Sequence, residues 1–387
     1  MTDSSFGIEE EFFLTDLATR KVARDGLDTF AATCRQALGT GFTREMFAAQ
    51  FEVVTPVLHD LAAARQYLSQ ARRCLARLAQ RQGCGIVAAG SHPLADWRDV
   101  QATELARYQT IFDEYRLVAS RSVLAGLHVH VGVPEGVDRI RLMNRLIPWL
   151  PLLLGLSASS PFWQGQASGL MSYRQAVCDE WPRMGIPDHF RDEHAYQQYL
   201  QVMTDTGCIA SAANLWWNIR PSLRYPTLEL RIADACPDLD DALCIAGLFR
   251  AMLEHLLATS HPAWVDDPLT RTLTLENRWR AKRRGVRGDF IEPASRRSLP
   301  FQAWLERVLE QIGERVPAAD QWILARARRL ARQDGSAEAQ LRSYRQARAA
   351  GLGHGEALCS LVDELMVQSS LAPSGGLERN PATGPIV

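Results

Sequence analysis

Glu9 with Glu11, His128 with His130, and Glu229 with Arg231 form three polar pairs, each at a spacing of two and each set among apolar neighbours. Glu52, in the stretch Phe51–Pro56, adds a single acid in the same kind of setting. Side chains alternate faces along a strand, so residues i and i+2 point the same way. One such pair is what any solvated strand shows, and for a single pair that plain account is the stronger one. Three pairs and a lone acid together predict a sheet with one face that gathers carboxylates, imidazoles and arginines. Carboxylate-rich sites with few thiols suit hard divalent cations, Mg²⁺ or Mn²⁺. Mg²⁺ in turn brings phosphates, whose oxygens Arg231 and Arg220 could hold by bidentate contacts. The chain has neither a GxxxxGK[ST] loop nor a GxGxxG turn opening a helix, so a bound nucleotide would lie on the sheet itself.

Glu10 stands between the two acids of the first pair, and alternation turns it to the opposite face. A buried carboxylate is costly unless something cationic or a hydrogen bond meets it. The expectation for Glu10 is therefore an arginine partner or a buried hydrogen bond, not catalysis. His59, His92, His189 and His194 occur singly at strand ends or in loop-like contexts and are left outside the site.

The elements that must carry these residues are legible from periodicity. Residues 6–14 (FGIEEEFFL), 51–56 (FEVVTP), GIVAAGSHP and LAGLHVHVGVP read as strands, and residues 214–233 as two strands joined by a Pro-containing turn. Residues 26–39, 60–82, 104–119 and 138–157 read as helices, and the chain from about 238 onward as mainly helical. Strands scattered between helices at irregular spacing predict an α+β fold with a largely antiparallel sheet, not a regular βαβ repeat. Residues 1–370 are expected to form one domain, and the Pro/Gly-rich stretch 371–387 to be a disordered tail.

Composition excludes several classes. A net charge of −1 gives no electrostatic footprint for nucleic acid or an anionic membrane as partner. The most apolar run, LIPWLPLLLGLSA, is too short to span a bilayer and holds two prolines. No basic-then-apolar leader opens the sequence. The eight cysteines form no CxxC pair, which fits reduced thiols and a cytoplasmic location.

FGIEEEFFLTD, GLHVHVGVP, SASSPFW followed by SYR, WWNIRPS, TLELRIADAC and ENRWRAKRRG, in that order, resemble the glutamate–cysteine ligase type 2 family of carboxylate–amine ligases. The resemblance runs from about residue 6 to about residue 365. It implies a glutamine synthetase-like fold, an antiparallel sheet cradling ATP and divalent metals and flanked by helices. The implied reaction is amide formation: ATP phosphorylates a carboxylate, glutamate in the family's name, and an amine, cysteine in that name, attacks the acyl phosphate. The resemblance makes Glu9, Glu11, Glu52, His128 and Glu229 metal ligands, sets His130 toward the nucleotide phosphates, and gives Arg231 and Arg220 to phosphate or substrate carboxylate. Tyr173, Arg174, Asn277 and Arg280 follow as substrate contacts, with a structural loop held by side-chain hydrogen bonds as the equal alternative. Related folds commonly form homo-oligomers. Asn218 in WWNIRPS stands where related sequences often carry aspartate, which bears on substrate charge if the position is functional. Two other readings stay open from the residues alone: a metal-dependent amidohydrolase built on the HxH pair, and a non-catalytic protein that keeps the fold.

Overall fold

The computed structural model describes residues 4–333 and 335–370; the stretch 371–387, expected as a tail, lies outside the described residues. The first strand, β1 (Phe6–Asp16), shows the alternation that its sequence implies. Phe6, Ile8, Glu10 and Phe12 are buried, while Gly7, Glu9 and Glu11 are partly open.

β1 is central in a seven-stranded sheet. One edge pairs with β3 (Gln50–Val54), and β3 pairs in turn with β2 (Phe42–Arg44). The other edge is shared: β4 (Cys84–Val87) takes the C-terminal half of β1 and β5 (Leu127–Gly132) the N-terminal half. Two further short pairs lie off this sheet, Phe162–Trp163 (β6) with Gln166–Ala167 (β7) and Met184–Gly185 (β8) with Trp216–Trp217 (β9). Beyond β5 the main sheet continues with the hairpin of β10 (Ile219–Pro221) and β11 (Thr227–Leu230), joined by a turn that contains Pro226. Every pairing within the seven strands is antiparallel, as irregular strand spacing predicts.

One face of the sheet is apolar and is covered by helices. Helix α1 (Leu27–Leu38) packs on α2 (Leu61–Gln80), and α2 packs on β4. Asp60 caps α2 by accepting from the Ala63 amide, which satisfies one orphan donor of the first turn. The expected helix 138–157 is divided into α4 (Arg139–Leu146), a 3₁₀ turn at Ile147–Trp149, and α5 (Leu150–Ser157). Pro148 and Pro151 cause the break, because each lacks an amide donor and clashes with the carbonyl four residues back. Helix α3 (Ala106–Arg121) buries only Tyr108 and Ala119, and it kinks at Arg116, whose φ is 45°. The C-terminal part is helical as expected: α6 (Arg174–Cys178) and α7 (Glu193–Asp205) precede α8 (Leu239–Leu257), α9 (Pro268–Arg284), α10 (Phe301–Ile312), α11 (Trp322–Gln333), α12 (Ser336–Ala349) and α13 (His354–Ser370). A hairpin absent from the expectation, β12 (Asp289–Glu292) with β13 (Arg297–Pro300), interrupts it. Among the described residues no helix is long and apolar enough to cross a membrane.

On the helical face, Glu10 meets Arg72 of α2. The guanidinium donates to both carboxylate oxygens, at 3.0 and 2.6 Å, and to the carbonyls of Pro237 and Cys236 at 2.7 and 2.9 Å. Glu10 is 2% exposed and Arg72 1%. The charge is thus met by a full set of partners inside the protein.

Candidate active site

The opposite face carries the polar pairs, and the strand register brings them into rows. Arg220 lies across from Glu229, and Glu229 across from His130. Glu9 lies across from His128, and Glu11 across from Glu52. Directly opposed residues on an antiparallel pair hold their Cβ atoms ~4.5–5.5 Å apart, so these rows place the side chains in mutual reach. Glu9 bridges the two histidines: one carboxylate oxygen is 3.3 Å from His128 Nδ1 and the other 3.3 Å from His130 Nε2. Glu11 accepts from the Gly126 amide at 2.5 Å and lies 3.8 Å from His128 Nε2. Glu229 takes Arg220 in a two-point contact at 2.8 and 3.2 Å and Arg231 as a second ion-pair partner.

Three overlapping groups of donors result, each with its ligand atoms within 4.8 Å of one another: Glu9, His130 and Glu229; Glu9, Glu52 and His128; Glu11, Glu45 and Glu52. Their electrostatics split in two. Burial works against the ionised form of Glu9, but the hydrogen bonds and charge of His128 and His130 outweigh it and hold this carboxyl well below its ordinary range. Burial likewise opposes Glu229, and Arg231 and Arg220 bring it down to about 2. The third group has only weaker support, from His128, 3.8 Å from Glu11, and from the charges of Arg107 and Arg231 on Glu45. Burial, followed by the charge of Glu11, pushes Glu45 up to about 8. Burial and the charges of Glu45, Glu9 and Glu11 push Glu52 well above the carboxylate range. His128 is lowered by burial and by the nearby charge of Arg231. The face is therefore short of positive charge just where its oxygens converge, which fits hard divalent cations.

The family model "glutamate-cysteine ligase family 2" matches residues 5–360 of this chain. A protein of Ectopseudomonas mendocina, named provisionally as glutamate–cysteine ligase 2, is 74% identical over 374 residues, covering 97% of this chain and 99% of that protein. This chain belongs to the glutamate–cysteine ligase family 2. A Pseudomonas aeruginosa protein of the same provisional name is 44% identical over 370 residues, covering 95% of this chain and 96% of the other. In fold the chain is similar to the glutamate–cysteine ligase of Francisella tularensis solved in complex with AMP (TM-score 0.71, 11% identity, 95% of this chain and 89% of that one). It is similar also to a bifunctional glutathione synthetase of Pasteurella multocida (TM-score 0.71, 15% identity, 95% of this chain and 52% of that one). The fold is thus the glutamine synthetase-like ligase fold, and the family is one of ATP-dependent amide-forming ligases.

In this ligase, Glu9, Glu11, Glu52, His128 and Glu229 all lie in the convergent groups; His130, expected to face phosphate, is itself a member of one of them, and Arg220 and Arg231 stand beside them. The sequence reading missed Glu45. It follows β2, outside the periodic stretches that drew attention to the others. Its parity is the available clue: Thr43 pairs with Glu52, and Glu45 comes two residues later. The weaker candidates are placed otherwise. Arg174 is buried and donates to the carbonyls of Arg231, Ile232 and Ala233, so it holds the backbone that carries Arg231. A side chain at Gly126 would collide with that guanidinium and come within 3.1 Å of His128 Nε2, which explains the glycine there. Tyr173 packs its ring on Trp163 at 5.3 Å. Asn277 is fully buried and makes two hydrogen bonds with the backbone of Ile291, while Arg280 binds Glu276 and the Asp289 carbonyl. These two fasten the β12–β13 hairpin to α9 and are not brought to the acidic face. Asn218 is buried and donates to Gln175 at 3.1 Å. Of the histidines left out, His92 is enclosed against Thr15 and the Leu94 amide, and His189 meets Asp266 on the surface.

Proposed function

We propose that this chain forms an amide bond between a small carboxylic acid, glutamate in the names of its relatives, and an amine, cysteine in those names, using ATP held with divalent cations on the acidic face. The observation that carries this reading is the convergence of Glu9, Glu11, Glu45, Glu52, His128, His130 and Glu229 into three adjoining donor groups. Mg²⁺ or Mn²⁺ held there would neutralise phosphate oxygens and act as a Lewis acid.

The rest is done by the chain's own residues. Arg231, on a strand end and pinned to Glu229, needs no reorganisation to meet the charge on the phosphoryl group in transfer. Arg220 buttresses Glu229 from the other side and so fixes its orientation. His130, with Nδ1 3.1 Å from Thr227 Oγ1, has its ring orientation set by the hairpin. The γ-phosphoryl group passes to a carboxylate oxygen of the acid and ADP departs. The amine nitrogen then attacks the acyl carbon, the carbon–oxygen bond to phosphate breaks, phosphate leaves with that electron pair, and the nitrogen gives up its extra proton to solvent. The eight free cysteines fit a reducing compartment, and on that ground we place the protein in the cytoplasm.

The test is a panel of acids, glutamate included, supplied with Mg²⁺, ATP and hydroxylamine. Hydroxylamine is small enough to trap an acyl phosphate without a fitted pocket. Hydroxamate and phosphate released in equal amounts with at least one acid supports the reading; hydroxamate from none of them overturns it.

A further inference from the structure

Arg72, Arg145, Arg174, Arg250, Arg278 and Lys282 are the buried arginines and lysines among the described residues. Five of them meet a carboxylate: Arg72 on Glu10, Arg174 on Asp234, Arg250 on Glu254, and Arg278 and Lys282 on Asp179. Arg145 of α4 does not. Its Nη1 donates to the Leu256 carbonyl at 2.6 Å, and its Nη2 to Thr259 Oγ1 and the Ser260 carbonyl at 2.8 and 3.0 Å. These acceptors hold the guanidinium in place but carry no charge, and Nε has no partner. Burial accordingly lowers Arg145 from its ordinary value, with no acid to offset it. A buried cation is costly when nothing anionic meets it, so the fold leaves one positive charge open here.

Arg145 lines a cavity of about 620 Å³, a size that suits a small organic molecule. Arg141, one turn earlier on the same face of α4, and Arg191, from a facing loop, line it too. Both are open to solvent, and their partners, Asp138 at 3.8 Å and Asp192 at 2.9 Å, form surface pairs of little strength. The acids of the lining, Asp138 and Asp266, are already engaged. Asp138 caps α4: one oxygen accepts from the Ile140 and Arg141 amides and the other from the Glu193 amide. Asp266 Oδ1 lies 3.1 Å from His189 Nε2 and 2.9 Å from His261 Nε2. Three arginines against two occupied aspartates leave the cavity positive. Val137, Leu142, Leu256 and Leu257 give it an apolar side. It shares no residue with the donor groups of the acidic face.

We infer that this cavity is a second binding site, one for an organic anion with a carboxylate or phosphate group and an apolar body. The inference stands apart from the ligase reading and does not depend on it. Arg141, free of the core, supplies the two-point contact that a guanidinium makes with a carboxylate or phosphate. Arg145 supplies the fixed charge behind it, and the bound anion gives that charge the counterpart the fold withholds. The apolar body lies against Val137, Leu142 and Leu257. A cationic molecule would meet three arginines with both aspartates taken. A neutral one would leave Arg145 as it is.

The experiment is isothermal titration calorimetry on the full chain, without Mg²⁺ or ATP, using phenyl phosphate, phenylacetate, 2-phenylethanol and inorganic phosphate as probes. At least one of the two aryl anions is expected to bind one to one, about 10-fold or more tightly than either 2-phenylethanol or inorganic phosphate. The better of the two tells a phosphate site from a carboxylate site. Binding of neither aryl anion overturns the inference. So does equal binding of 2-phenylethanol, which would make the charge irrelevant, or of inorganic phosphate, which would do the same for the apolar body. The location is tested with Arg141→Glu, a change at an exposed position that the fold tolerates, and with Arg145→Met. Each should weaken binding by about 10-fold or more, while Arg231→Ala on the acidic face should leave it unchanged. Normal binding by either folded cavity variant overturns the assignment, and so does loss of binding in Arg231→Ala, which would put the anion among the catalytic groups. If Arg145→Met fails to fold, Arg141→Glu decides.

Discussion

Glu10 and Glu11 are neighbours of one residue type on one strand, and the protein treats them in opposite ways. Glu10 faces the helices, where Arg72 meets both of its oxygens and the pair is closed to solvent. Glu11 faces the other side of the sheet, where it accepts from one backbone amide, lies 3.8 Å from His128 Nε2 and joins Glu45 and Glu52 with no arginine bound to its oxygens. The first region is self-sufficient: its charges cancel within the fold and leave nothing for a ligand. The second is left incomplete, and a face incomplete in positive charge is a binding site for it. Charge that the fold has already balanced belongs to architecture, and charge that it has left open belongs to function.

The strongest way to break this contrast is to remove one open carboxylate. Glu9→Gln or Glu11→Gln should reduce Mg²⁺-ATP turnover to background; the melting temperature of the metal-free protein should hold or rise for Glu11→Gln, which removes a charge that repels Glu45 and Glu52, and fall for Glu9→Gln, which removes the partner of His128 and His130. Parallel assays and thermal melts on the same preparations check this. If folded Glu10→Gln loses turnover to the same extent, the two faces are not functionally distinct. Next in size is Arg231→Ala, expected to lower kcat by about 10²–10³-fold, the range for losing one preorganised donor. Arg231→Lys should recover part of that loss, since a point charge replaces the fork only in part. Steady-state kinetics decide it, and a variant that melts many degrees lower yet turns over normally in the cold would reduce Arg231 to a strut.

The balanced face is probed through stability. Arg72→Met strands the Glu10 charge and should cost about 3–5 kcal/mol by denaturant unfolding. Glu10→Gln, which keeps a hydrogen-bonding group, should cost about 1–3 kcal/mol. Turnover of the remaining folded protein should fall far less in both than in Glu11→Gln, because neither side chain reaches the acidic face. The double change Glu10→Leu with Arg72→Met should recover much of the lost stability, as replacing a whole buried ion pair often does.

The smallest effect is one of pH. Glu45 is raised to about 8 and Glu52 well above the ordinary carboxylate range, so the folded protein binds protons here that the unfolded chain has already released. Stability from these two groups is complete below their unfolded values and is lost as pH rises through the folded ones. The melting temperature of metal-free protein should therefore carry a downward contribution between about pH 5 and 8. Glu45→Gln should reduce that slope, and saturating Mg²⁺ should flatten it. A slope that neither change alters would mean that the open acids are balanced after all.

The two faces were not equally legible in the sequence. Alternation in FGIEEEFFL placed Glu9 and Glu11 together and turned Glu10 away, because strand periodicity is a local property. It could not say that Arg72 would be the partner of Glu10, since that contact spans 62 residues and is set by how α2 lies on the sheet. Glu45 escaped for a related reason: β2 has three residues, too few to show a period, and its acid lies just beyond the end. The break in the 138–157 helix was within reach, because Pro148 and Pro151 stand in the sequence. Asn277 and Arg280 drew attention through the resemblance alone, and the hairpin that occupies them, β12–β13, has no alternation strong enough to announce it.

The shared edge of β1 has a consequence for the chain while it is being made. β1 leaves the ribosome before β4 and β5, which cover one of its edges and come from residues 84–87 and 127–132. For that interval the strand presents a row of unpaired amides and carbonyls beside Phe12 and Phe13, the makings of a strand-to-strand aggregate with a second nascent copy. Three successive carboxylates oppose such an encounter in either register, since whichever face meets the neighbour brings like charge against like. The acids that later divide into a scaffold ion pair and a ligand-hungry face thus share an earlier task as gatekeepers of an unfinished edge.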